Sequence, residues 1–159
     1  MSESKPIKRS EALKELSKDH HFNLLLIWKI KQGLKLHVEL LRIKNFITHF
    51  FNEQIMHHFS VEEKYLFCLL PEQDELRKRA ENEHAAIKKI SAEISAENIS
   101  ENTIAEFANL LESHIRFEER TLFPFIEKNI SNEKLERASV YFTTEHDDYW
   151  QDTFWVTKK

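Results

Sequence analysis

The 159-residue chain has one glycine and three prolines, four turn-formers where average usage of about 12% would supply roughly 19. That scarcity excludes a sandwich or barrel of many short strands, which needs a turn signal every ~8–12 residues. The single cysteine, Cys68, cannot close an intramolecular disulfide. Met1 to Pro6 are polar, with no apolar run behind them of the kind a secretory leader carries, so the expectation is a cytosolic protein. Long hydrophobic runs are missing too. The longest, Leu24 to Trp28, falls far short of the ~20 residues of a membrane span, and no membrane partner is expected. Nor is there an excess of one charge: 23 basic and 27 acidic residues leave −4, with no global electrostatic footprint for nucleic acid or anionic lipid. What the chain does have is nine histidines.

Its apolar residues follow a helical period. Leu13, Leu16, His20, Leu24, Ile27 and Ile30 fall at spacings of three and four, one buried face of a helix that starts at the N-cap candidate Ser10. The only glycine, Gly33, fits its C-terminus. Periodicity resumes at Leu40 and runs through Ile43, Ile47, Phe50, Phe51, Ile55 and Phe59 to Leu70, where Pro71 closes a long second helix. A third is predicted from Gln73 to Ser95 and a fourth from about Ile104 to Asn129, kinked at Pro124. A fifth is predicted over Ser131 to Trp155. Four long helices with short joins predict an all-α, up-down four-helix bundle over residues 10–130, preceded by a polar segment, 1–9, and followed by an additional C-terminal helix within 131–159 packed on the bundle.

Within this pattern His58-Phe-Ser-Val-Glu62-Glu63-Lys-Tyr-Leu66-Phe67 aligns without a gap to His114-Ile-Arg-Phe-Glu118-Glu119-Arg-Thr-Leu122-Phe123. The shared pattern is HxxxEExxLF, with Cys68, expected as a buried core thiol, in the place of Pro124. Residues four apart share a helix face about 5–6 Å from each other, so His58 with Glu62, and His114 with Glu118, can reach one metal ion or one of a pair. Upstream of each unit stands an acid-histidine pair, Asp19-His20 and Glu83-His84. At ~1.5 Å per residue, His58 and His84 lie about 18 and 17 Å from the turn they share, and His84 and His114 are similarly level across the next. The first hairpin is out of register by ~9 Å unless the first helix continues past Gly33.

Imidazole and carboxylate together suit iron, manganese or zinc. Four histidines and two bridging glutamates would give each of two ions four protein ligands. One oxo or hydroxo bridge makes five and leaves about one open position in an octahedral shell for a small diatomic or peroxide.

On these motifs the chain resembles the hemerythrin-like (HHE cation-binding) family over roughly Ser10 to Lys128. The resemblance implies a four-helix bundle around a non-haem di-iron centre, two iron ions with an oxo or hydroxo bridge. It further implies His20, His58, His84 and His114 as terminal ligands and Glu62 and Glu118 as bridges. Oxygen-carrying hemerythrins have a second histidine one turn away on the third helix, where this chain has Ala80 and Lys88. The four-histidine, two-glutamate set is instead similar to di-iron proteins associated with iron-sulfur repair and nitric-oxide stress. Ferritin-like proteins need two Glu-x-x-His pairs, and only Glu81 with His84 has that spacing. The expected function is binding or reaction of O2, peroxide or NO. The alternative is an iron storage or delivery module, or an oxygen-sensing one, without turnover.

Of the other histidines, His49 lies about 180° from His58 on the same helix, and His57 and His21 stand beside aligned members of the repeat. His37 sits near the first turn and is expected in solvent. His146, in a third acid-histidine pair, is open between a fifth ligand and a polar helix residue. Tyr65 shares the face of His58 as core filler or as a neighbour of the metals. Glu63 and Glu119 either face outward or accept hydrogen bonds from ligating imidazoles.

Overall fold

The stripe from Leu13 to Ile30 faces inward on α1, Lys14–Lys35, which is entered through a 3-10 turn at Glu11–Leu13. The computed structural model describes residues 9–96, 99–143 and 146–157. Of the expected polar segment 1–9, all but Arg9 lies outside the described residues. Ser10 holds the N-cap position, but its hydroxyl accepts no bond from the helix. Its amide instead donates to Glu127 Oε2 at 2.5 Å.

Helix α1 does not stop at Gly33. It continues to Lys35, and the chain reverses at His37, whose φ of 56° is in the left-handed region. Gly33 is needed for space: a Cβ there would stand 2.7 Å from the ring of Phe154 and 3.1 Å from Ile43 Cδ1. The extra half-turn shortens the register mismatch of the first hairpin.

Helix α2 covers residues 40–69 and α4 residues 101–129, each interrupted by wider turns. In α2 the five-residue segments Phe51–Ile55 and Glu62–Leu66 are π-helical, and in α4 so is Glu118–Leu122. The π turn before Phe123–Asn129 puts Pro124 in the first turn of that segment, where a missing amide hydrogen costs nothing. The disturbance expected at Pro124 therefore lies just before it. Helix α3, Glu75–Ser95, is capped by Asp74, which accepts from the Arg77 amide, and Ser100 caps α4 from the Thr103 amide.

The four helices pack in a ring, α1 on α2 and α4, α3 on α2 and α4, the arrangement of an up-down bundle. Among the described residues no helix is long and apolar enough to cross a membrane. The interior is two apolar clusters. One is built from Leu26, Ile27, Phe46, Phe50, Phe59, Ile87 and Phe107, and the other from Leu13, Leu16, Leu66, Phe67, Ala80, Leu122 and Phe123. Between them, at the level of residues 20, 58–62, 84 and 114–118, lies a layer of buried polar side chains.

The C-terminal region departs from expectation. Helix α5 is only Asn132–Ser139, capped by Ser131 and packed against the 3-10 turn at Glu11–Leu13 and the π turn at Glu62–Leu66. Residues 146–157 are not helical. Phe142 is buried in one apolar cluster and Phe154 in the other, so this region reaches both halves of the core. Gln54 Nε2 donates to the Asp147 carbonyl at 2.8 Å, Arg42 makes a two-pronged ion pair with Asp152, and Trp150 rests on His49. Cys68 is exposed rather than a core thiol, its Sγ donating to the Lys64 carbonyl. The 3-10 turn Phe67–Leu69 that ends α2 rotates it out of the register that its repeat position implied.

Candidate metal centre

The buried layer contains His20, His58, Glu62, His84, His114 and Glu118, each at most 3% exposed. Their helices place them in two groups. His20 and His58 meet Glu62 and Glu118 on one side, and His84 and His114 meet the same two carboxylates on the other, with the candidate ligand atoms of each group all within 4.8 Å of one another. The Nε2 atoms all face the shared carboxylates. That of His20 lies 2.8 Å from Glu118 Oε1, those of His58 and His84 each 3.2 Å from Glu62 Oε1, and that of His114 3.4 Å from Glu118 Oε1.

Each carboxylate bonded from behind the cluster takes one Nδ1 proton. Asp19 accepts from His58 at 2.8 Å, Glu83 from His114 at 2.8 Å, Glu63 from His84 at 2.6 Å and Glu119 from His20 at 2.7 Å. The pattern closes on itself. The acid of each acid-histidine pair serves the histidine of its own HxxxEE unit, and the second glutamate of each unit serves the acid-paired histidine of the other. These bonds fix the tautomer and aim of every imidazole, leaving Nε2 for the interior.

A further donor holds each of these acids. Glu63 meets Lys88, Glu83 meets Arg79, Glu119 meets Arg9 and Ser17, and Asp19 meets His146. In the sequence Asp19 and Glu83 stand out only as members of the repeated acid-histidine pairs. The recurrence of an acid directly before each histidine was the signal for their role. Arg9 carried none.

Six atoms test whether cations fit. His58 Nε2, His84 Nε2, His114 Nε2, both oxygens of Glu62 and Glu118 Oε2 are buried with no hydrogen-bond partner. Leaving one such polar atom unsatisfied costs about 1–3 kcal/mol, and here six converge. Imidazole nitrogen and carboxylate oxygen are the donors that iron, manganese or zinc accept, so the residues fit a pair of such ions.

Electrostatics says the same. Burial works against protonated imidazole, but the facing carboxylates outweigh it. Glu62 and Asp19 hold His58 up at about 9, Glu118 and Glu83 hold His114 at about 10, and Glu118, Glu119 and Glu62 raise His20 well above its ordinary value. His84 is raised by Glu62 and Glu63. Against its own burial, Glu62 is driven well below the usual carboxylate range by His58, His20 and His84. The site demands positive charge, and without metal it draws that charge from protons.

Aromatic rings shield the layer. Phe59 stacks on His84 with centroids 3.9 Å apart, Phe123 stacks on His20 at 5.2 Å, and Phe67 tilts onto His84 at 5.4 Å. Phe22 packs on the outer histidine His146, with ring centroids 5.1 Å apart. His146 is no fifth member of the cluster: its Nε2 donates to Asp19 Oδ1, one residue removed from the six. His21, His37, His49 and His57 are exposed, and Tyr65 stacks on Tyr141 at 4.1 Å.

The family model of the hemerythrin HHE cation binding domain matches residues 12–126. No curated protein and no solved structure matches the chain.

Proposed function

Since the chain belongs to the hemerythrin HHE cation-binding family, we propose that its buried layer holds a non-haem pair of irons that binds or reacts with O2, peroxide or NO. His20 and His58 serve one ion, His84 and His114 the other, and Glu62 and Glu118 bridge the two, with an oxo or hydroxo group between them. The observation that carries this reading is the sharing of both buried carboxylates by two separate histidine pairs, a donor set for two ions rather than one. When bound, iron supplies open coordination positions and one-electron redox chemistry to a small oxidant.

The chain does the rest. Asp19, Glu63, Glu83 and Glu119 take the Nδ1 protons and make the imidazoles more basic toward the interior. Phe59, Phe67 and Phe123 keep bulk water from the layer, so that only small molecules gain access. For a neutral diatomic such a dry pocket carries little desolvation penalty, whereas a hydrated anion loses its shell.

The test is metal analysis of protein purified without an affinity tag, with optical spectra taken as isolated, after dithionite and after air. About two irons per chain, with oxo-bridged near-ultraviolet bands that bleach on reduction and return with air, support the reading. Folded protein without stoichiometric metal after metal-replete growth sinks it. Two irons that leave readily to a chelator and ignore O2, peroxide and NO turn the function to iron delivery.

A further inference from the structure

We propose that His146 is a positioning residue of the metal centre, setting the imidazole of His58 through Asp19 and making the C-terminal segment a working part of the site. The inference rests on the metal-binding reading above. Its observation is an asymmetry among the four acids behind the histidines. Glu63, Glu83 and Glu119 have side chains 34%, 27% and 26% exposed, while that of Asp19 is 5% exposed. Three of these acids can exchange a protein donor for bulk water, whereas Asp19 is buried from the bulk solvent.

Asp19 uses its two oxygens on two rings. Oδ2 accepts from His58 Nδ1 at 2.8 Å and Oδ1 accepts from His146 Nε2. A carboxylate held at both oxygens has a fixed plane, and the plane sets the direction in which His58 presents Nε2 to Glu62, 3.2 Å away. The other three acids receive their outer donors from Lys88, Arg79 and Ser17 of the bundle and from Arg9 just before its first helix. Among the four, Asp19 is the one held from residues 146–157, on the C-terminal side of the span matched by the family.

The segment is fastened where this requires it. The Asp147 carbonyl takes the Gln54 amide, Asp152 takes Arg42, and the His146 ring lies on Phe22. A cavity of about 30 Å³ is lined by Asp19, Phe22, Asn23, Gln54 and His58 among others, room for about one water. It touches one of the six candidate ligands, and His146 forms part of its wall.

The full chain, stripped of metal and free of an affinity tag, is titrated anaerobically with Co(II) in wild-type, His146→Ala and His146→Gln forms. Chelator competition gives the affinities and the visible bands report the ligand field. The wild type takes up two cobalt ions. His146→Ala weakens one of them about tenfold, the low end for loss of an outer partner, with a changed band for that ion. His146→Gln, whose amide can donate to Asp19 from a similar place, returns both to near wild type. Identical affinities and bands in wild type and His146→Ala overturn the proposal alone. So does equal weakening in both variants with a parallel loss of thermal stability, the mark of a merely structural role. Wild-type protein that takes up no cobalt fells the metal-binding reading and this inference with it.

Discussion

Glu63 and His84 belong to different units of the internal repeat, yet Glu63 Oε2 takes the Nδ1 proton of His84 at 2.6 Å. Glu119 and His20 return the same bond in the opposite direction at 2.7 Å. Each unit therefore orients a histidine of the other.

This exchange makes the effect of Glu63→Ala one-sided. Affinity is expected to fall about 10–100-fold for the ion on the His84–His114 side, the usual cost of losing an outer carboxylate, and to hold on the His20–His58 side. Chelator competition with two resolvable steps measures it. Equal weakening of both ions would contradict the assignment of partners.

Glu62→Ala and Glu118→Ala have a different outcome, because both carboxylates are common to the two groups. Metal content should fall toward one ion or none in each variant, read by elemental analysis. Full retention of two ions in both would remove the bridging role.

The pH dependence of the metal-free protein has a definite sign. His58 and His114 are raised from an ordinary 6.5 to about 9 and about 10, so the stability they contribute is complete below 6.5 and is lost as pH rises through 9 and 10. Glu62, Glu63, Glu83 and Glu119 are lowered from 4.5, and their contribution is present above that value and lost as pH falls. Metal-free protein is thus most stable between about 4.5 and 6.5. Bound metal needs deprotonated imidazole, so loaded protein should hold its stability on the alkaline side and release metal on the acid side. Melting curves of both forms from pH 5 to 10 check this, and parallel pH profiles would refute it.

Gly33→Ala sets two effects against each other. Alanine favours the helix by up to about 1 kcal/mol, but its Cβ would stand 2.7 Å from Phe154, an overpacking that typically costs about 1–3 kcal/mol. Net destabilisation of about 1 kcal/mol is expected, with easier proteolysis after Ser139. Unchanged or higher stability in denaturant titration would show that Phe154 yields freely.

Cys68→Ser should shift stability by no more than about 0.5 kcal/mol, as for other surface positions, and leave metal content unchanged. The thiol is exposed and donates to the Lys64 carbonyl, a bond serine can keep. A large loss in a thermal melt would restore the thiol to the core.

The four long helices were legible because their apolar stripes repeat every three to four residues, and the meeting of His58 with Glu62 and of His114 with Glu118 because i,i+4 spacing survives in any helix. What escaped depends on contacts distant in sequence. Gly33 looked like a cap because a lone glycine near a helix end usually is one; its reason is Phe154, near the other end of the chain. Trp150 and Phe154 lie four apart and imitate a helical face, although they anchor non-helical chain. The π turns at Glu62 and Glu118 add less than one residue per turn, too little for a periodicity argument to register. His146 was visible as a histidine beside an acid, but not its bond to Asp19 across the fold.

The buried layer also divides the hydrophobic interior into two clusters. A continuous core melts as one body, whereas two half-cores joined by a polar seam melt together only while the seam holds. In this protein the seam is made of charges that cations or protons must balance. Ion content is therefore expected to set cooperativity as well as stability: hydrogen exchange should show one cooperative unit with the seam filled, and two ends opening on separate schedules once it is emptied at alkaline pH.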